Sequence, residues 1–385
     1  MVTATGYAYP WDFAGDPAAA DRAREAGVET VAVAANYHRT RAATPLHPLH
    51  RLVDAEHAAC YLPVRPAAWQ GMRLVPRLPD WTGPDSFAVA RKALVAAGLR
   101  VAAWTVLTHN SVLGHEHPDL VRRNAFDEPY KYALCPRAPQ VADYCATLVR
   151  EMAVLSEADG LILEAAGPLG VDHGGHHDKT EFAQWTPAQR ELLSLCFCAS
   201  CRRDQRAGGL DPEHVAARVR AALGPARPPT DPEDALGEQT AAVLRACAGA
   251  SASALHTRLV TAARTAVPGI RVTVHGSASP WATGAFAPLG PTVTEGIDAV
   301  VANCWATGPG GGPVADLRRL APPGTAIGGY FRPETLPADA EGLRALAARH
   351  VAAGLGEAHL YHLGLVPRAG LDRLRDLVAA LRSST

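Results

Sequence analysis

The chain has 385 residues, 48% of them apolar, so it is long enough to bury a large core. Lysine and arginine number 37 and aspartate and glutamate 38, and no basic stripe occurs, which argues against a nucleic-acid partner. The sequence contains no apolar run of about 18 residues, so we do not expect a membrane-spanning helix. The N-terminus lacks a secretory signal, and eight cysteines do not form the pattern of a secreted disulfide scaffold. We therefore expect a cytoplasmic protein.

Short apolar runs that end in polar or aromatic residues predict eight buried strands. They cover residues 6–13, 28–38, 100–110, 160–166, 271–277, 297–306, 326–332 and 357–365. Helical patterns separate most of them, most clearly at residues 16–26, 139–156 and 371–381. Strand and helix alternating in this way predict an α/β fold, a parallel (β/α)8 TIM barrel that spans residues 1–385 as one domain.

Two excursions interrupt this alternation. Residues 39–84 are rich in proline, histidine and arginine, and we expect a long loop over one barrel face. Residues 172–269 form a long insertion after the fourth strand, with a histidine cluster, a cysteine cluster and two or three helices. Within it, Thr186-Pro187-Ala188-Gln189 is typical of a helix start with a capping box.

Three closely spaced cysteines favour a metal site. Cys196, Cys198 and Cys201 form a Cys-x-Cys-x-x-Cys motif, and Cys135 is the best candidate for a fourth ligand. Zinc binds four thiolates tetrahedrally, and such a closed site is structural. The alternative interpretation is a set of buried free cysteines.

Three segments resemble family 42 β-galactosidases. They are Leu134-Cys135-Pro136 with the helix that follows, Asp159-Gly160-Leu161-Ile162-Leu163-Glu164, and the cysteine motif. The resemblance covers roughly residues 100–205. It implies a barrel glycosidase with Glu164 as the acid/base and a structural zinc on the four cysteines. In that family an Asn precedes the acid/base Glu, whereas this chain has Leu163.

The residues themselves also point to Glu164. It directly follows a run that should be core strand, which places it at the carboxyl end of the strand, where barrel active sites lie. Burial there would raise its pKa and suit it to general acid catalysis. Glycoside hydrolysis usually needs a second carboxylate. Glu334 is a candidate because the resemblance implies a nucleophile after the seventh strand. The rivals are Asp172, Asp178 and Asp12.

The segment Asp172-His173-Gly174-Gly175-His176-His177-Asp178 is too polar and glycine-rich for a core. One interpretation is a sugar-binding loop, in which imidazoles bind hydroxyls. Another is a catalytic metal site that uses His173, His176 and a carboxylate. A third is a solvated loop with chance histidines.

Other strand ends carry polar and aromatic residues that predict a substrate pocket on one barrel face. With His173, His176 and His177, the predicted substrate-binding residues are Asn36, Trp104, His109, Asn110, His275, Trp305, Tyr330, Arg332 and His362.

Three functions remain open from the sequence. The first is a glycoside hydrolase-like enzyme acting on a small-molecule or oligosaccharide substrate, with a structural zinc and no organic cofactor. The second is a metal-dependent isomerase, lyase or hydrolase that uses the loop from His173 to Asp178. The third is a carbohydrate-binding barrel without catalysis. The sequence gives no clear oligomer signal, although barrels with such insertions often form dimers or trimers, so a homo-oligomer stays open.

Overall fold

The computed structural model describes residues 1–172, 179–224, 227–305 and 312–384. Within these residues, eight parallel strands close into a barrel, because the first strand pairs with both the second and the eighth. In chain order the strands are Thr3–Ala8, Thr30–Tyr37, Arg100–Val106, Gly160–Glu164, Arg271–Ser277, Ala299–Asn303, Ala326–Phe331 and Glu357–Leu360. The predicted (β/α)8 barrel is confirmed.

Most predicted strands extend too far at their carboxyl ends. The first, for example, was expected to reach residue 13 but ends at Ala8, and a 3-10 helix, Pro10–Asp12, follows. The polar and aromatic residues beyond the ladder belong to the loops at the barrel mouth. These loops, rather than the strands, carry many of the candidate binding residues.

Helices form the outer layer. Those next to the barrel are Ala19–Glu25, Ser86–Ala96, Pro139–Leu155, Glu238–Ala266, Gly312–Leu320, Ala340–Ala352 and Arg368–Ser383. All residues between the fifth and sixth strands are described, and none of them is helical. Pro280, Pro288 and Pro291 lie there among several glycines, and both residue types disfavour helix. No helix in the described ranges has the length and apolar character to cross a membrane.

The first excursion is more ordered than a loop. It contains a hairpin, Thr40–Ala43 with Leu52–Ala55, and a strand, Ala59–Cys60, that pairs antiparallel with the end of the second barrel strand. The 3-10 helix Pro66–Trp69 follows. Between the third barrel strand and the next barrel helix lie the helix Ser111–Glu116 and a second hairpin, Val121–Arg123 with Pro129–Leu134.

The chain after the fourth strand is richer in helices than expected. Before the long helix Glu238–Ala266 come Thr180–Ala183 (3-10), Pro187–Leu193, Ala199–Ala207, Pro212–Ala222 and Pro232–Leu236. The expected capping box at Thr186 is present, since its hydroxyl accepts from Gln189 N and Gln189 Oε1 accepts from Thr186 N. A small apolar core holds these helices together, lined by Leu192, Phe197, Val215, Val219, Leu236 and Leu244.

Candidate active site and cysteine cluster

Glu164 is the last residue of the fourth strand and lies at the carboxyl end of the barrel. The preceding Leu161-Ile162-Leu163 run is buried, as parallel strands covered on both faces require. Only 6% of Glu164 is exposed, and its Oε2 accepts a 2.8 Å hydrogen bond from Trp104 Nε1. Burial raises its pKa to about 7, although the Trp104 bond opposes this. At neutral pH this carboxyl can therefore hold a proton to donate.

The raised pKa of Glu164 predicts a pH-dependent gain in stability on substitution with Gln. Between the unfolded pKa near 4.5 and the folded pKa of about 7, the folded state binds the extra proton, so wild-type stability falls as pH rises. Above pH 7, Glu164→Gln should increase the free energy of unfolding by about 3 kcal/mol, and the gain should largely vanish below pH 5. Urea unfolding of both proteins at about pH 5 and pH 8 measures this difference. A difference that does not change with pH would contradict it.

Aromatic rings surround this carboxyl. Trp104 packs against Tyr7 at 4.9 Å and Tyr37 at 4.6 Å between ring centroids. Nearer the mouth, Trp305 stacks on Tyr330 at 5.6 Å, and the Arg332 guanidinium lies 4.7 Å from the Trp305 ring centroid. Trp305 and Arg332 are partly exposed. The mouth of the barrel therefore carries a partly exposed aromatic ring beside a cation.

The candidates for the second carboxylate lie in different environments. Glu334 is exposed in the 3-10 helix Pro333–Thr335, directly after the seventh strand. Burial raises the pKa of Tyr361, and the charges of Glu164 and Glu334 add to the increase. Asp172 is half exposed and forms an ion pair with Arg190.

Asp12 is the most buried of these rivals. Its Oδ2 accepts a 2.8 Å hydrogen bond from Tyr9 N, and Oδ1 has no partner among the described residues. Burial raises the pKa of Asp12 to about 7. A Cβ at Gly364 would lie 2.1 Å from Oδ2, so this glycine leaves the space that the carboxyl fills. Asp178 lies outside the described residues.

The other predicted binding residues lie in several different environments. Asn36 and Asn110 are buried and hold backbone: Asn36 Nδ2 donates to Val106 O at 2.7 Å, and Asn110 Oδ1 caps a helix by accepting from Leu113 N. His362 is buried against Tyr9. His109 is partly exposed and stacks on His38 at 4.1 Å. His173, His176 and His177 lie outside the described residues.

The sequence analysis predicted His275 as a substrate-binding residue but missed Tyr7 and His359, which lie beside it inside the barrel. His275 Nδ1 lies 3.5 Å from Glu164 Oε2, and its Nε2 lies 2.7 Å from the Tyr7 hydroxyl. The same hydroxyl lies 2.9 Å from His359 Nδ1. Tyr7 and His359 sit mid-strand between small or apolar neighbours, and the only signal was a polar residue within an otherwise apolar run.

The four predicted metal ligands come together. The Sγ atoms of Cys135, Cys196, Cys198 and Cys201 all lie within 4.8 Å of one another, and all four residues are buried. Two of the distances are 3.5 and 3.6 Å. Thiolates bound tetrahedrally at 2.3 Å stand about 3.8 Å apart, so the cluster could bind a metal ion of zinc's size.

A buried guanidinium accompanies the thiols. Arg122 is 6% exposed and donates to Leu169 O and Ser194 O. Burial disfavours ionisation of Cys196, but hydrogen bonds from the three other thiols and the charge of Arg122 outweigh it and lower the pKa of this thiol. The positive charge of Arg122 favours the thiolate form of Cys196, which is the form that binds metal.

Several glycoside hydrolases are among the solved structures with the same barrel. The β-amylase catalytic domain from Paenibacillus polymyxa has a TM-score of 0.58 at 12% identity, and the match covers 100% of this chain and 98% of that one. α-L-Fucosidase isoenzyme 2 from Paenibacillus thiaminolyticus has a TM-score of 0.56 at 15% identity and covers 99% of this chain. The β-galactosidase from Rahnella sp. R3 has a TM-score of 0.55 at 11% identity and also covers 99%.

This chain spans about half the length of the last two enzymes, 49% and 56%, respectively. No protein-family model and no curated protein matches the sequence. At these identities the comparisons establish the fold. The resemblance to family 42 in particular is not confirmed.

Proposed function

We propose that this chain is a glycoside hydrolase-like enzyme in which Glu164 is the proton donor. The supporting observation is a buried carboxyl at the carboxyl end of the fourth strand, with a pKa of about 7 and aromatic rings around it. Barrel enzymes carry their catalytic groups at this end. A carboxyl that stays protonated near neutral pH is suited to protonate a glycosidic oxygen as the bond to the anomeric carbon breaks.

Glu334 is the proposed partner of Glu164. It follows the seventh strand at the same barrel mouth, it is exposed, and its charge reaches the same phenol as that of Glu164. A carboxylate at this position can attack the anomeric carbon or activate a water molecule. Asp12 is less suited because it is buried and its pKa is also raised. Asp172 is less suited because Arg190 already pairs with it.

The position before Glu164 bears on the substrate. Leu163 is completely buried and offers no hydrogen bond at the place where the resemblance would put an Asn. The resemblance implies that such an Asn binds the sugar 2-hydroxyl, so we propose that this enzyme, without it, tolerates variation at carbon 2. The substrate class is a glycoside or oligosaccharide whose ring stacks on Trp305.

We further propose that the four cysteines hold a structural zinc ion. The cluster brings together Cys135, which directly follows the hairpin strand Pro129–Leu134, and three cysteines at or just before the helix Ala199–Ala207. A bound ion there would fasten the helices after the fourth strand to the barrel. Four protein ligands leave no open position for substrate, so its contribution is to folding.

Activity against a panel of aryl glycosides tests the proposed chemistry. The panel should include glucosides, galactosides, fucosides and 2-acetamido sugars. We expect turnover on at least one of them, with kcat/KM falling above about pH 7 as Glu164 loses its proton. Proton NMR of the first product distinguishes retention from inversion. Tight sugar binding without any turnover would contradict the proposal and favour a binding protein.

A further inference from the structure

One arginine at the barrel mouth has no anionic partner. Arg332 directly follows the seventh strand, and its guanidinium lies 4.7 Å from the centroid of the Trp305 ring. Within the described ranges its side chain forms neither an ion pair nor a hydrogen bond, not even with Glu334, two residues farther along. Nε is buried, whereas the two terminal nitrogens reach the surface of this partly exposed residue. The mouth therefore presents a positive charge whose outer N–H groups are unused.

The direction of Arg332 follows from the strand before it. Tyr330 points into the barrel, where its ring lies 4.9 Å from that of Tyr7, and Phe331 packs outward against His350 of the helix layer. The backbone at Arg332 is still extended, with φ −130° and ψ 144°. Side chains alternate along an extended chain, so Arg332 lies on the same side as Tyr330 and faces the mouth.

Three aromatic rings, here called the aromatic wall, lie between this arginine and the candidate proton donor. They stand at or just beyond the ends of the sixth, seventh and eighth strands and are Trp305, Tyr330 and Tyr361. Their centroids lie 5.6, 5.6 and 5.4 Å apart. Tyr361 also lies 6.4 Å from the ring of Trp104, which donates to Glu164. The wall therefore leads from the carboxyl at one end to the cation at the other.

Arginines with a structural role near this strand are anchored differently. Arg318, on the helix Gly312–Leu320, donates to three backbone carbonyl oxygens. Arg373, on the last helix, also donates to three. Arg332 has its cation–π contact with Trp305 instead, and its buried Nε is left without an acceptor, which costs free energy. This arrangement favours a role in recognising an anion over a role in stability.

We infer that Arg332 binds the carboxylate of an acidic sugar, so that the sugar stacked on the aromatic wall is a hexuronic acid residue. A guanidinium presents two parallel N–H groups that match the two oxygens of a carboxylate. One guanidinium balances the single negative charge of a carboxylate, whereas a phosphate ester carries about two, and the exposed Glu334 nearby would repel it. In a hexuronic acid the carboxylate is attached directly to the ring, so one residue supplies both the stacking and the ion pair. The assignment of a substrate class rests on the proposed function, but the binding of an acidic sugar does not.

Binding of monosaccharides to the full chain tests this inference without turnover. Isothermal titration should compare sodium glucuronate and galacturonate with glucose and galactose, and include glucose 6-sulfate and glucose 6-phosphate. We expect each uronate to bind at least about tenfold more tightly than its neutral counterpart, and more tightly than the sulfated and phosphorylated sugars. The preference should shrink as sodium chloride is added, because salt screens a partly exposed ion pair.

Substitutions of Arg332 locate the effect. Arg332→Gln should lower the affinity for glucuronate by about 10- to 100-fold and remove the preference over glucose. Arg332→Lys keeps the charge but lacks the fork, so it should restore only part of the preference. In turnover assays, the ratio of kcat/KM for a nitrophenyl glucuronide to that for the glucoside should fall by a similar factor in Arg332→Gln. Arg344→Gln is the matched control, because it removes an exposed arginine from the outer helix Ala340–Ala352 and should keep the wild-type preference.

Several results would overturn the inference. They are a wild type that does not bind glucuronate or binds it no better than glucose, a preference that survives Arg332→Gln, and Arg332-dependent binding of the sulfated or phosphorylated sugar in place of the uronates. The wild-type titrations decide the matter even if a variant folds poorly. Cleavage of neutral glycosides without any preference for uronides would refute this inference and leave the proposed function intact. Arg332-dependent binding of uronates in a protein that cleaves no glycoside would do the opposite.

Discussion

Glu164→Gln should lose about 10²- to 10⁴-fold in kcat on glycosides with poor leaving groups, because proton donation then no longer assists bond cleavage. The amide keeps the local contacts: its oxygen can accept from Trp104 Nε1, and its nitrogen can donate to His275 Nδ1. KM should change much less than kcat. Steady-state kinetics on aryl glycosides whose leaving groups span a range of basicity measure the effect.

The loss in kcat of Glu164→Gln should depend strongly on the leaving group. An activated phenol departs without a proton, so cleavage of its glycoside should slow little in Glu164→Gln. Cleavage of an alkyl glycoside should slow by the full amount. Glu151→Gln is a suitable control, since it changes another buried glutamate, on the helix Pro139–Leu155 and paired with Arg65. It should leave kcat on every substrate unchanged. An equal loss across all leaving groups in Glu164→Gln would mean that Glu164 has another role.

Removing metal from the cysteine cluster should produce the second large effect. We expect about one zinc per chain in the purified protein, by elemental analysis. A ligand present at a thousand times its Kd stabilises a fold by about 4 kcal/mol, so chelation or Cys198→Ser should lower the free energy of unfolding by an amount of this order. The chain between residues 179 and 236 should become the first site of proteolysis, because the proposed ion would fasten it to the barrel.

Cys247→Ser provides the comparison for this experiment. Cys247 is partly exposed, lies on the helix Glu238–Ala266 and does not belong to the cluster. This variant should keep its zinc and its stability. A wild-type protein that is free of metal and indifferent to chelators would favour four buried free thiols.

The sequence was sufficient for the barrel because buried parallel strands leave a strong local signal. Apolar runs such as Leu161-Ile162-Leu163 recur between amphipathic helices, and a charge directly after such a run has to lie at the strand end. The cysteine cluster was predictable for a similar reason, since the spacing of Cys196, Cys198 and Cys201 already restricts where their thiols can go.

The polar residues inside the barrel could not be predicted in this way. Tyr7 and His359 lie within buried strands, and a strand covered on both faces has no alternation to show which side a residue takes. Their contact joins residues 352 positions apart and exists only once the first and eighth strands pair. The roles of Asn36 and Asn110 could not be predicted for a different reason. A strand-end amide that binds sugar and one that holds backbone have the same residue type, and only the contacts distinguish them.

The Arg122 guanidinium links two described parts of the chain after the fourth strand. One guanidinium donates hydrogen bonds to the carbonyl oxygens of both Leu169 and Ser194, so these two residues are held close to each other. Lysine has one compact ammonium and could not bind both carbonyl groups at once, so Arg122→Lys would let Leu169 and Ser194 move apart.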